Sequence, residues 1–141
     1  MGKVCRRRTK SVRGMNAGPL RRVLPGAIGA GFEKSAEIYL RRHGLKTLQR
    51  NYRCRRGEID LIMTHDDYVV FVEVRYRASR EFGDPLETIT PRKQRRIIAT
   101  ATHFLASNAG LKNRACRFDA IGVTGDGDSV EYDWITDAFS T

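Results

Sequence analysis

A chain of 141 residues has the size of one ordinary domain, and its formal net charge is +10 at pH 7. This length is enough to bury a hydrophobic core. No apolar run of about 18 residues occurs, which excludes a transmembrane helix, so no membrane partner is expected. The three cysteines show no Cys-x-x-Cys spacing, which argues against a disulfide framework or a zinc site and favours a reducing cytoplasm.

The positive charge is concentrated at the N-terminus. Residues 1–30 hold eight of the 26 Lys and Arg residues and no acid, so residues 31–141 carry eighteen basic and sixteen acidic side chains, a net of +2. A basic, glycine-containing arm is typically disordered and attracts polyanions at long range. We therefore predict a disordered basic arm over 1–30 and a single α/β domain over 31–141. The arm either steers nucleic acid or is a solubilising extension, and an upstream start codon is also consistent with it.

The first predicted element after the arm is a helix. Its apolar residues recur at helical spacing from Phe32 to Leu40, and Gly44 provides a C-terminal stop. Three strands are then predicted from apolar runs and alternation, over 46–53, about 57–64 and about 68–77.

A second helix is predicted after a loop over 78–90. Thr90 is a good N-cap and Pro91 suits the first helical position. Two further strands follow, over 115–124 and 129–136. Consecutive strands joined by short turns are antiparallel, whereas a helix allows a parallel crossover. The order therefore predicts a mixed β-sheet flanked by helices, with one helix on each face or both on one.

Four charged residues interrupt the hairpin formed by the second and third strands. If its turn is symmetric about residues 66–67, Asp60 faces Glu73 and Glu58 faces Arg75, with all four on one side of the sheet. Opposed Cβ atoms lie about 4.5–5.5 Å apart, and like charges directly opposite one another destabilise a sheet. The two facing carboxylates therefore need a compensating interaction.

Two interpretations of these charges remain open on the pattern alone. Mg²⁺ bound between Asp60 and Glu73 would offset their repulsion, because this ion takes one or two carboxylates and completes its shell with water and phosphate. Arg75 would then lie near a phosphate or a metal-bound water. Alternatively, Arg75 pairs with Glu58 across the strands and Glu73 lies on a solvated face. The third strand is apolar on both faces, which favours a central position where uncompensated acids are costly.

The hairpin motifs resemble those of the YraN-like family of uncharacterised bacterial proteins. These motifs are "GEIDLI" at 57–62 and "VFVEVRYR" at 70–77. The likeness continues through "EKSAEIYLRRHG", "LQRNYRCRRGE", "FGDP" with Lys93 beyond it, and "RFDAIGV", and covers about 31–123. That family looks like the restriction-endonuclease-like, or PD-(D/E)xK, superfamily, which includes Holliday-junction resolvases. The resemblance implies a core of helix, three strands, helix and strand.

The resemblance also implies a site. Asp60 and Glu73 would bind Mg²⁺ or Mn²⁺, with the Val74 carbonyl as a further ligand, and Glu33 would complete the site through water or the metal. The position of the usual lysine is occupied by Arg75. Arginine can hold positive charge beside a phosphate, but it cannot act as a base because it stays protonated. A bound metal could still activate water by lowering its pKa.

Two basic clusters are predicted to contact nucleic acid. They comprise Arg53, Arg55 and Arg56 before the hairpin, and Arg92, Lys93 and Arg96 at the start of the second helix. A helix N-terminus favours phosphate, although the second cluster is also consistent with an ordinary solvated helix face. Backbone contacts of this kind carry little sequence information, so structure-dependent recognition is expected.

Three hypotheses for function follow. The first is a Mg²⁺-dependent nuclease acting on DNA rather than RNA, in which Arg75 stabilises developing negative charge. The second is a catalytically silent nucleic-acid-binding module, which the replacement of lysine by arginine favours. The third is a structural partner protein in DNA processing. Many relatives of the fold act as dimers, so a homodimer is compatible with each.

Overall fold

The elements of the domain follow one another in the predicted order, with two short strands ahead of them. The computed structural model describes residues 6–8, 12–13, 25–77, 89–126 and 129–140. The elements are β1 (Arg6–Arg8), β2 (Val12–Arg13), α1 (Pro25–Arg42), β3 (Lys46–Cys54), β4 (Gly57–His65), β5 (Tyr68–Arg77), α2 (Pro91–Ala106), a short 3-10 helix (Ala109–Leu111), β6 (Ala115–Asp126) and β7 (Ser129–Phe139).

The strands form one mixed sheet in the order β1-β7-β6-β5-β4-β3, and β2 also pairs with β7. The pairing of β5 with β6 is parallel, and the other pairings are antiparallel. β5 and β6 are parallel because α2 lies between them in the sequence and returns the chain to the end of the sheet at which β5 begins. The predicted mixed α/β sheet is therefore confirmed.

The two helices cover opposite faces of this sheet. On one face, Tyr39 and Leu40 of α1 pack in a buried cluster with Leu61 and other strand residues. On the other face, Ile97 and Phe104 of α2 belong to a separate buried cluster. β5 lies inside the sheet and contributes apolar side chains to both clusters, as expected of a central strand that is buried on both faces. Of the two predicted layouts, the arrangement with one helix on each side is the correct one.

The ends of both helices follow from local chemistry. At the start of α2, the Thr90 hydroxyl accepts a hydrogen bond from the backbone N–H of Lys93 at 3.2 Å, and Pro91 occupies the first helical position, as predicted. After α1, Gly44 adopts the left-handed region with φ of 95°, which confirms the predicted stop.

The N-terminal part of the chain is described only in pieces. Helix α1 begins at Pro25, so it includes residues 25–30, which the sequence assigned to the arm. The rest of the predicted arm outside β1 and β2, the loop over 78–88 and residues 127–128 of the predicted turn lie outside the described residues. The division into arm and domain stays a prediction. In the described part of the chain, no helix is both long and apolar enough to cross a membrane.

Candidate metal and nucleic-acid site

The predicted register of the β4–β5 hairpin is confirmed over five pairs, and the pairing then stops. It runs from His65–Tyr68 to Leu61–Val72. It ends just before Asp60 and Glu73, so these two acids are not a ladder pair. Instead, the Asp60 carboxylate accepts a hydrogen bond from the backbone N–H of Val74 at 2.8 Å. Beyond the last β4–β5 pair, the backbone N–H of Val74 on β5 is therefore bonded to a side-chain oxygen of β4.

An irregularity in the strands accompanies the end of this pairing. Residues two apart on a strand normally share a face, yet Ile59 packs in the cluster beneath α2 and Leu61 in the cluster beneath α1. On β3, Arg50 pairs with Leu61 and Tyr52 pairs with Ile59. Asn51, between them, lies opposite Asp60 and has a left-handed backbone with φ of 49°. Asparagine adopts this region more readily than most residues. The alternation breaks at Asp60, whose carboxylate reaches β5.

Glu73 lies on the α2 side of β5 and is nearly inaccessible, with 7% of the residue exposed. Its neighbours Val72 and Val74 pack on the α1 side. The Lys93 ammonium nitrogen lies 2.6 Å from Glu73 Oε1, and Arg75 Nε lies 3.4 Å from the same oxygen. Arg75 Nε is buried and makes no hydrogen bond. The shorter ion pair of Glu73 therefore comes from the first turn of α2 and not from β5.

Three carboxyl groups influence one another at the end of the hairpin. Burial, and then the negative charge of Glu73, raise the pKa of Asp60 to about 7, against the lowering effect of the Val74 N–H. The pKa of Glu33, on α1, is also raised, first by burial and then by the charges of Glu58 and Glu73, while a hydrogen bond with Asp60 lowers it. Like charges close together disfavour ionisation in this way. We call Glu33, Asp60 and Glu73 the acid cluster.

The acid cluster offers oxygen ligands of the kind that hard cations prefer. Within the described residues, no group of three or more His, Cys, Asp or Glu side chains is arranged to hold a metal ion. A zinc site, which needs three or four such ligands, does not fit. The chemistry of the donors fits Mg²⁺ better, because this ion needs only one or two carboxylates and draws its other ligands from water and phosphate.

A cavity of about 660 Å³ opens between the β3–β4 turn and the start of α2. We call it the basic groove. Four of the six predicted nucleic-acid-binding residues line it, namely Arg53, Arg92, Lys93 and Arg96. Arg55 and Arg56 are exposed in the turn and are not among its lining residues. Glu58 also lines it and pairs with Arg53 at 3.1 Å, not with Arg75 as one interpretation expected.

Gly57 brings the hairpin close to α2. Its φ is 152°, and a Cβ atom there would lie 3.1 Å from the Thr100 hydroxyl. A larger residue would therefore strain the backbone and press on α2. This close approach holds the β3–β4 turn beside the first turns of α2, where the basic groove forms.

The structure thus brings Glu33, Asp60 and Glu73 together and places Arg75 beside Glu73. The role of Lys93 as the closest cation to Glu73 was missed, because the sequence assigned it only to nucleic-acid contacts. One signal could have indicated it. The β5 position where the resemblance implies a lysine holds arginine, and a lysine lies in the first turn of the next helix.

Fold and site together define an α/β protein with an acid cluster at the end of a hairpin and a basic groove beside it. The chain belongs to the uncharacterised protein family UPF0102, whose model matches residues 32–123. It is 48% identical over 111 residues to a UPF0102 protein of Nitrosococcus oceani and 50% identical over 113 residues to one of Pseudomonas aeruginosa. Each match covers 79% of this chain and 90% of the relative.

Proposed function

We propose that this protein is a Mg²⁺-dependent phosphodiester hydrolase that acts on DNA and belongs to the restriction-endonuclease-like superfamily. The observation that carries the proposal is the buried Glu73 beside Asp60, at the point where β4 and β5 stop pairing, next to the basic groove. Burying an acid is costly without compensation, and a site for a cation and a phosphate explains why two acids are kept there.

In this proposal each residue has a distinct task. Bound Mg²⁺ would supply a Lewis acid that polarises the phosphate and lowers the pKa of a water ligand. Asp60 and Glu73 would hold the ion, and Glu33 would hydrogen-bond a water ligand from α1. The oxygen of a water molecule forms a bond to phosphorus as the bond from phosphorus to a sugar oxygen breaks. The water loses a proton to solvent and the leaving oxygen gains one, so a monoester and an alcohol result.

The basic groove would hold the phosphate backbone on either side of the scissile bond. Its four cations can contact phosphates of any sequence, because such contacts position a duplex or branch without reading bases. Affinity should therefore fall steeply with added salt as counterions are released. We favour structure-dependent recognition of DNA by a protein in the reducing cytoplasm. The free thiols of Cys54 and Cys116 suit that location.

A metal titration tests this proposal. Mn²⁺ or Mg²⁺ should raise the melting temperature of the wild type, and Asp60→Asn should abolish the shift, because a ligand that binds only the folded state stabilises it. Asp67→Asn is the matched control, since it makes the same change at the exposed turn of the same hairpin. Cleavage of branched, single-stranded and duplex DNA in Mn²⁺ should then appear in the wild type and in the control alone.

One observation favours a second candidate, a nucleic-acid-binding module without cleavage. Glu73 already has two cationic neighbours, and the β5 lysine expected from the resemblance is absent. Such a module would bind DNA in a salt-dependent manner and show neither a metal-induced shift nor cleavage. Deleting residues 1–24 would further show whether the groove or the N-terminal arm provides that binding.

A further inference from the structure

We infer that Lys93 supplies the cation that faces the scissile phosphate, in place of a lysine on β5. The inference rests on the proposed hydrolase function and names a catalytic residue for it. The sequence placed Arg75 in this role, whereas the geometry points to a side chain from a different element, the first turn of α2.

Contact with both halves of the site distinguishes Lys93. Its ammonium nitrogen lies 2.6 Å from the buried Glu73, and the same side chain lines the basic groove. It therefore stands where the acid cluster meets the groove in which the phosphate backbone would lie. About a third of the side chain is exposed, at 37%, so a substrate oxygen can reach the ammonium group without rearrangement of the core.

Arg75 is held differently. Its Nε lies 3.4 Å from Glu73 without a hydrogen bond and is buried, and Arg75 does not line the basic groove. Its charge therefore acts on Glu73 from within the fold. Arg75 is a positioning residue, since its buried Nε lies beside the Glu73 carboxylate and its side chain is not part of the groove lining.

The backbone of α2 keeps Lys93 in place. Lys93 is the third residue of the helix, and its backbone N–H donates a hydrogen bond to the hydroxyl of the N-cap residue Thr90. The N-cap thus anchors the residue whose side chain reaches β5. Pro91 has no N–H, and the N–H groups of Lys93 and Gln94 bond to Thr90. The N–H of Arg92 is therefore the first-turn donor that could meet a phosphate oxygen next to Lys93.

In the reaction, Lys93 stays protonated and donates a hydrogen bond to a non-bridging oxygen of the phosphate. Water still provides the nucleophile, and its proton still goes to solvent. Negative charge on the phosphate oxygens is then met by a fixed positive group, and removal of one such donor typically lowers a rate by about 10² to 10³. An ammonium group also fits between Glu73 and a phosphate more compactly than a guanidinium does.

The experiment compares four proteins: wild type, Lys93→Met, the double variant Lys93→Met with Arg75→Lys, and the control Lys112→Met. Lys112 is exposed beyond the 3-10 helix and does not line the groove. For each protein, the Mn²⁺-induced melting shift, binding of a branched DNA in Ca²⁺, and cleavage of that DNA in Mn²⁺ are measured.

We expect Lys93→Met to cleave about 10² times more slowly than the wild type while it keeps the Mn²⁺ shift and binds DNA within a few-fold. The double variant should recover at least about a tenth of the wild-type rate, because it returns an ammonium group to the site from β5. The control should match the wild type in all three measurements.

Two results would overturn the inference and leave the proposed function intact. One is cleavage by the Lys93→Met variant at the same rate as the wild type. The other is loss of its Mn²⁺ shift, which would make Lys93 a structural support of the metal site. A wild type that shows no cleavage would remove the hydrolase proposal itself, and the inference with it. That outcome is recognised from the wild type alone.

Discussion

Two aspartates of the sheet, Asp119, which is fully buried, and Asp60, which is partly buried, have opposite surroundings. Asp119 on β6 has no exposed surface, and its two oxygens accept four hydrogen bonds. Two come from Arg117 at 2.8 and 2.9 Å, one from the Trp134 indole at 2.9 Å and one from the backbone of Asp137 at 3.1 Å. Asp60 on β4 accepts one backbone N–H and shares a hydrogen bond with Glu33, and the charges that act on it include those of Glu33 and Glu73.

The hydrogen-bond partners and neighbouring charges of the two carboxylates distinguish a structural role from a functional one. The oxygens of Asp119 are all used within the fold, so a ligand could bind only by breaking an internal network. Burial and then the neighbouring like charges raise the pKa of Asp60, and no cationic side chain donates to its oxygens among the hydrogen bonds described. Perturbed acids in such surroundings are candidates for functional sites. The same conservative substitution should therefore have opposite effects at the two positions.

The largest expected effect comes from Asp119→Asn. An amide has one acceptor oxygen, so its NH₂ group would face donors that now reach a carboxylate, and Arg117 would lose its counter-charge. Breaking a buried pair in this way costs about 3–5 kcal/mol, and we expect a drop in melting temperature of about 10 °C or more. Urea unfolding measures the loss in free energy of unfolding, with Asp67→Asn as the reference variant. A loss below about 1 kcal/mol would contradict the structural role.

The next largest effect is a gain in stability for metal-free Asp60→Asn. Because the folded pKa is raised to about 7, ionisation of Asp60 destabilises the fold. That destabilisation is absent below the unfolded pKa and is complete once the pH passes the folded value. Asparagine carries no charge, and its carbonyl can still accept the Val74 N–H. We expect a gain of roughly 2 kcal/mol at pH 8 that shrinks toward pH 4. Unfolding curves in EDTA at both pH values measure it, and a loss at pH 8 would remove the contrast with Asp119.

The pH dependence of metal binding sharpens the same contrast. Below about pH 7 a cation must displace the proton of Asp60, so its affinity falls as the pH decreases. At a fixed Mn²⁺ concentration above the Kd, the metal-induced stabilisation of the wild type should be about 1 kcal/mol smaller at pH 6 than at pH 7.5. Melting curves with and without Mn²⁺ at the two pH values provide the measurement. An equal shift at both would show that the ion binds elsewhere.

The fold was accessible from sequence where the signals are local. The hairpin register, the Thr90 N-cap and the order of elements each depend on a few neighbouring residues. The break in alternation at Asp60 has no such signal, because it arises with the left-handed Asn51 on the next strand. The approach of Lys93 to Glu73 had only an indirect signal, the arginine at the β5 position where the resemblance implies a lysine. It depends on how the start of α2 packs against the sheet, and periodicity does not encode that distance.

The smallest expected effect concerns Glu37 on α1, a buried acid whose surroundings lie between those of Asp119 and Asp60. Its carboxylate accepts from Thr47 at 2.7 Å and from Arg50 at 2.6 and 2.8 Å, which joins α1 to β3. The hydrogen bond from Arg50 is the main cause of its lowered pKa. The stabilisation is therefore present above the ordinary pKa of a glutamate and is lost as the pH falls through the lower folded value.

Glu37→Gln should cost only about 1 kcal/mol at pH 7, because the Arg50 side chain is 59% exposed and water screens the pair. The cost should vanish near pH 3, where the wild-type carboxyl is also protonated. Urea unfolding at the two pH values measures both. Satisfied acids should then rank by burial of their partners, with Asp119 far above Glu37, whereas Asp60 falls outside the ranking with the opposite sign. A loss at Glu37 as large as that at Asp119 would mean that partner burial does not set the order.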